Sequence, residues 1–146
     1  MKNTALLLAM LSTPIAAYSG TFTDAMTRCL ANSTTGKDRI DLARMMFSVM
    51  ALHPDLTDIA SILPDKRDAI YKSSGLIYNK LMGDVCSKEL KVAIQFEGET
   101  AAKAGFEFLG KLAMQELMSN PNVTAGFSDA GKYIDTKKIL GITKPQ

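Results

Sequence analysis

The sequence predicts an all-α protein: a single compact bundle of about four main helices, with short accessory helices and one disulfide. Three observations carry this. Every long segment repeats its apolar residues at the 3.6-residue helical spacing, and none alternates cleanly as a half-buried strand would. Ala, Leu and Met are frequent, aromatic residues make up only 7% and Trp is absent, a composition that favours helix over sheet. The two cysteines, Cys29 and Cys86, stand without a CxxC partner or a His cluster, and in an exported chain such a pair reads as a disulfide.

Export is read from the N-terminus. Met1-Lys2 supplies a basic start, Ala5 to Leu11 an apolar run, and Ala17 and Ser19 the small residues of a cleavage site. The apolar stretch from Ala5 to Ala17 is well short of the roughly 20 residues that cross a bilayer, and Pro14 interrupts it. Residues 1–19 therefore read as a signal peptide, with mature protein beginning at Gly20; Ile15 and Ala17 would instead give a start at Tyr18. Residues 20–146 are left as a single helical domain, long enough to bury a core. Later apolar runs are broken by charges within a few residues, so no stable membrane insertion is expected after signal cleavage. With Lys2 removed, the chain carries one more basic than acidic residue and no run of like charges, which argues against nucleic acid as a partner.

The elements follow in order. Phe22, Ala25, Met26, Cys29 and Leu30 form one stripe, predicting a helix over about 22–31 with Cys29 on its inward side. Asn32-Ser33-Thr34-Thr35-Gly36 ends it with turn chemistry. Lys37 to His53 predicts the central helix: its polar residues are confined mainly to Lys37, Asp41, Arg44 and Ser48, which fall on one narrow wet stripe. Pro54 stops it. A short helical turn is expected over Leu56 to Leu63. Pro64 then opens a long helix at its first position, with Asp65 and Asp68 favouring the positive helix end. Ala69, Ile70, Ser73, Ser74, Ile77 and Leu81 run along one side of it to Met82, and Ser73-Ser74-Gly75 predicts a close helix crossing.

Gly83-Asp84 is expected to break that helix and Cys86-Ser87 to open the next, which carries Leu90, Ala93, Ile94 and Phe96 to a bend or end at Gly98. Thr100 to Asn120 shows two adjacent apolar seams, Ala101, Gly105, Phe108 and Leu112 beside Phe106, Leu109, Ala113 and Leu117, predicting a largely buried helix. Asn120-Pro121 ends it. Beyond it lie a short turn at Val123 to Phe127, a break at Gly131, a weak helix from Asp135 through Leu140, and frayed last residues.

Catalytic chemistry finds little support. Triads need a histidine, and the only one, His53, is placed to meet the last carbonyls of the central helix. A disulfide would leave no thiol nucleophile. Zinc and calcium patterns are missing, and no glycine-rich phosphate loop or nucleophile elbow occurs, so no metal, cofactor or catalytic residue is predicted. Glu97 and Glu99 are the best carboxylate pair, but two residues apart on a helix they diverge by about 200°, and a solvated bend is the expected role. Two N-glycosylation triplets, Asn32-Ser33-Thr34 and Asn122-Val123-Thr124, matter only in a eukaryotic secretory route, whereas the brief signal suggests a Gram-negative periplasm. The expectation is a non-enzyme, periplasmic or secreted, that binds another exported protein as an inhibitor or immunity-type protein does. The alternative is an envelope structural or stress accessory protein, or a carrier of an apolar ligand in the bundle core.

Overall fold

The computed structural model describes residues 20–141; the signal peptide expected over 1–19 and the fraying expected of the last residues lie outside them. The described chain is 82% helical with no strand, in agreement with the predicted all-α bundle. The helices are α1 (Thr21–Ser33), α2 (Gly36–Met50), α3 (Pro64–Tyr78), α4 (Ser87–Glu97), α5 (Thr100–Met118), α6 (Pro121–Gly131) and α7 (Thr136–Gly141). A 3-10 turn, Pro54–Leu56, follows α2, and a π-helical segment, Asn79–Val85, extends α3.

Local chemistry accounts for most of the boundaries. Thr35 begins α2 with a full capping box: its hydroxyl accepts from Asp38 N, and the Asp38 carboxylate accepts from Thr35 N, each at 3.1 Å. Pro64 and Pro121 start α3 and α6 at the first positions, where a missing N–H costs nothing. Gly98 terminates α4 at φ 84°, ψ −177°, a conformation that side-chain-bearing residues avoid.

The core gathers Met26 and Leu30 of α1, Leu42 and Ala43 of α2, Ile77 of α3, Leu81, Met82 and Cys86 from the π-segment and its end, and Leu109 and Ala113 of α5. Cys29 and Cys86 are bonded, their Cα atoms 5.8 Å apart, which fastens α1 to the start of α4. The tight seam of α5, Ala101, Gly105, Leu109 and Ala113, is buried throughout, and small residues at three of its four positions let neighbouring helices approach. A methyl added at Gly105 would sit 2.9 Å from Met82 Cε and 3.3 Å from Met26 Cε.

Four expectations are corrected. The centre of the bundle is α5, which packs on α1, α2 and α4; α2 packs on α3 and α5 and leaves Ile40, Phe47, Val49 and Met50 exposed. The wet stripe of α2 is half buried, because Asp41 and Ser48 face inward: Asp41 carries Lys37 at 2.5 Å and Arg44 at 3.4 Å, and Ser48 donates to Met45 O. Polar groups can enter a core when they arrive with their partners. Gly83-Asp84 does not break the helix before Cys86; the chain passes through the wider π turn, with Cys86 N donating to Leu81 O at 2.8 Å. The second seam of α5 is split, Leu109 and Ala113 being completely buried while Phe106 and Leu117 remain exposed, so that helix is buried along one face only.

Smaller differences follow the same logic. The helical turn expected over Leu56 to Leu63 comes earlier, at Pro54–Leu56, because His53 caps it. Ser74 makes the predicted close crossing, donating to Asp41 O at 3.3 Å, but Ser73 is exposed and a Cβ on Gly75 would meet nothing within 4 Å. The helix after Asn120 is longer than the expected turn, since the Asn120 side chain accepts from Asn122 N.

Candidate functional site

Helices α2 and α3 run antiparallel. Asp38, at the start of α2, accepts from Lys80 beyond the end of α3 at 3.1 Å, and the Ser74–Asp41 bond lies between. At the other side of this pair the helices part, and the connection 51–63 does not fill the gap. The result is a groove of about 620 Å³, lined by Ile40, Ala43, Arg44 and Phe47 of α2, by Ser61, Ile62 and Leu63 of the connection, by Lys66 and Ile70 of α3, and by Leu117 of α5. A smaller hollow of about 330 Å³, bounded by Asp41, Ala69 and Ser73, continues it along α3 and shares Arg44, Lys66 and Ile70.

The walls stay apart for identifiable reasons. Arg67 donates to Ile62 O at 3.0 Å and pins the connection against α3 just before the helix begins. Pro64 forces Leu63 into an extended conformation, φ −56° and ψ 141°, which leaves that side chain 74% exposed at the groove edge. Arg39 bridges to Glu116 at 3.5 Å and holds α5 against the start of α2. Exposed apolar groups continue past the groove along the end of α2 and the connection, at Met50, Leu52 and Ile59.

The rim is positive. Arg44 is paired to Asp41 at 3.4 Å, but Asp41 is shared with Lys37, so its single negative charge faces two cations. Lys66 has no acidic side chain within ion-pair distance among the described residues. Apolar walls beneath unbalanced ammonium and guanidinium groups suit an occupant that is apolar with an anionic group at one side.

Compared with protein-family models, with curated proteins and with solved structures, the chain matches none. The site therefore rests on its own geometry.

The residues singled out in the sequence fall elsewhere. His53 lies outside the groove; rather than meeting the last carbonyls of α2, its Nδ1 accepts from Asp55 N at 3.3 Å and caps the 3-10 turn. Cys29 and Cys86 are joined in the disulfide. Among the described residues no three His, Cys, Asp or Glu side chains gather as a metal set.

Glu97 is the correction among the carboxylates. It is no solvated bend residue: one oxygen accepts from Phe22 N at 2.8 Å, the other from Thr23 N at 3.0 Å and Thr23 Oγ1 at 2.6 Å. The end of α4 thus caps the start of α1, and Phe96 stacks on Phe22 beside it with ring centroids 4.8 Å apart. The Thr23 hydroxyl, then the amides of Phe22 and Thr23, hold the Glu97 carboxyl below the usual carboxylate range against the opposing effect of burial. Glu99 takes no part and is exposed at the head of α5. Nothing local in the sequence links Glu97 to Thr23; the signal is the lack of a side-chain cap at Gly20, which leaves the amides of α1 needing an acceptor from elsewhere.

Proposed function

We propose that this chain is an exported, non-catalytic binding protein that holds a segment of another exported protein in the α2–α3 groove, as an inhibitor or immunity-type protein would. The groove is the observation that carries the reading. Apolar side chains kept open to solvent over a space of about 620 Å³ are unfavourable for a protein that stays alone, and contiguous patches of this kind mark interaction sites. The positive rim selects the partner: a segment with apolar anchors and an acidic residue placed against Lys66 and Arg44. The signal-like N-terminus and the Cys29–Cys86 bond support an oxidising compartment, the periplasm in a Gram-negative cell.

The test begins with a photo-crosslinking residue at Leu63 in the native host, which captures the partner for identification. Calorimetry on the purified pair then compares Phe47→Asp, Leu63→Asp and Lys66→Glu with Leu76→Asp, a site that is exposed on α3 but does not line the groove. The groove variants should weaken binding about 30-fold or more, the scale of a central anchor, and Leu76→Asp should not. Equal affinity across the four would refute the reading.

A carrier of a small amphiphile is the second reading, favoured by a volume within the roughly 300–1,000 Å³ of small-molecule sites and by the Lys66 ammonium, which would meet a carboxylate head. Native mass spectrometry separates the two: a co-purifying acyl mass released by Lys66→Glu supports the carrier.

A further inference from the structure

We propose that the Ser19–Gly20 peptide bond is the processing site of this chain, and that the α-ammonium group left on Gly20 pairs with the Glu97 carboxylate, latching the start of α1 to the end of α4. The inference rests on the export part of the proposed function and goes beyond it. It begins with the position of Glu97. A Cβ built on Gly20 would lie 2.1 Å from the Glu97 carboxyl carbon and from Oε1, and 2.4 Å from Oε2. The carboxylate therefore occupies the very space that a side chain at residue 20 would need. Standard backbone dimensions then place the Gly20 nitrogen within about 5 Å of that carboxylate.

The sequence allows cleavage before either Gly20 or Tyr18. The geometry chooses between them. A start at Tyr18 would set the new charge two residues away from Glu97, whereas a start at Gly20 sets it beside the carboxylate. In the hydrolysis, catalysed by a signal peptidase of the export machinery, water adds across the amide: Ser19 leaves as a carboxylate, and the Gly20 nitrogen gains protons to become an ammonium. An uncharged amide is thereby replaced by a cation at the positive end of a helix, where it is unfavourable unless an anion answers it. Glu97 supplies that anion while its oxygens still accept from Phe22 N, Thr23 N and the Thr23 hydroxyl. A carboxylate accepts about four hydrogen bonds, so the ammonium adds to this cap without displacing it.

Two measurements test the proposal. The first is the intact mass of the protein recovered from the export compartment. A start at Gly20 supports the site and a start at Tyr18 overturns it; retention of Met1 overturns the export reading itself. The second is independent of export: the processed chain 20–146 is prepared with a free Gly20 amine and with an enzymatically acetylated one, each with Glu97 and with Glu97→Gln. At low salt the free-amine form should melt above the acetylated form when Glu97 is present, and below it in E97Q, a difference between backgrounds of about 2 °C or more. The same treatment of Thr23→Val, which removes a hydroxyl and keeps the carboxylate, should retain the dependence on acetylation. An acetylation shift equal in the Glu97 and E97Q proteins would overturn the latch.

Discussion

Removing the Cys29–Cys86 bond is the most direct test of how this fold is held. The two residues are 57 apart in sequence, and closing a loop of that length removes denatured-state entropy equivalent to about 4 kcal/mol on a chain-entropy argument. Against a total stability of roughly 5–15 kcal/mol that is a large share. The two ends are not equivalent: Cys86 is completely buried, whereas Cys29 is partly exposed on α1. The nearest hydroxyl, Ser33 Oγ, is 3.9 Å from the Cys86 sulfur, too far to satisfy a shorter serine without movement. Cys29→Ser and Cys86→Ser should each lower the unfolding free energy by about 2–5 kcal/mol, with Cys86→Ser the larger because it also buries a poorly satisfied hydroxyl. The double variant should lose no more than Cys86→Ser, since one bond cannot be lost twice. Urea unfolding followed by far-ultraviolet circular dichroism measures all three, and m should rise as the unfolded chain loses its cross-link and exposes more surface. Clearly additive losses, or two titratable thiols in the denatured, unreduced wild type, would refute the reasoning.

Three further outcomes are expected. Leu30→Ala, at a completely buried position, should cost about 3–5 kcal/mol in urea unfolding, whereas Leu76→Ala, 70% exposed, should cost about 0.5 or less. Gly98→Ala should cost about 1–3 kcal/mol by the same assay through backbone strain alone, because nothing lies within 4 Å of the added methyl. The Glu97 carboxyl, lowered when folded, should add stability that is fully present above the unfolded value of about 4.3 and lost as pH falls through its lower folded value. Urea midpoints in acid should thus fall less steeply for E97Q, with the remaining slope coming partly from Asp38: its carboxyl is also held low, because bonds from Thr35 and Lys80 outweigh desolvation. Parallel pH curves for wild type and E97Q would contradict this.

The helices were legible where periodicity and punctuation coincide, as in Thr35-Gly36, Pro64 and Asn120-Pro121, because capping and proline geometry are local properties of the chain. Orientation was less so. Asp41 and Ser48 looked like solvent residues by type, and only the approach of Ser74, 33 residues after Asp41, turns that stripe inward and exposes Ile40 and Phe47 instead. The groove follows from this rotation, so a reading of one helix at a time could not locate it. Its trace in the sequence is an apolar surface on α2 too wide for two neighbours, together with Ile62-Leu63 held extended before a proline. Gly83 misled for a related reason: glycine suggests a break, whereas the chain here keeps its helical bonding in a wider form that carries Cys86 to Cys29.

The covalent loop has a bearing on damage. Apart from Leu117, every residue lining the groove lies between Cys29 and Cys86, and so does the exposed connection 51–63, the kind of segment proteases cut first. A single cut there would leave two pieces still joined through sulfur, with α2 on one and α3 on the other. Such a nicked molecule could hold its site together in an oxidising medium, and would come apart into separate fragments only when the bond is reduced.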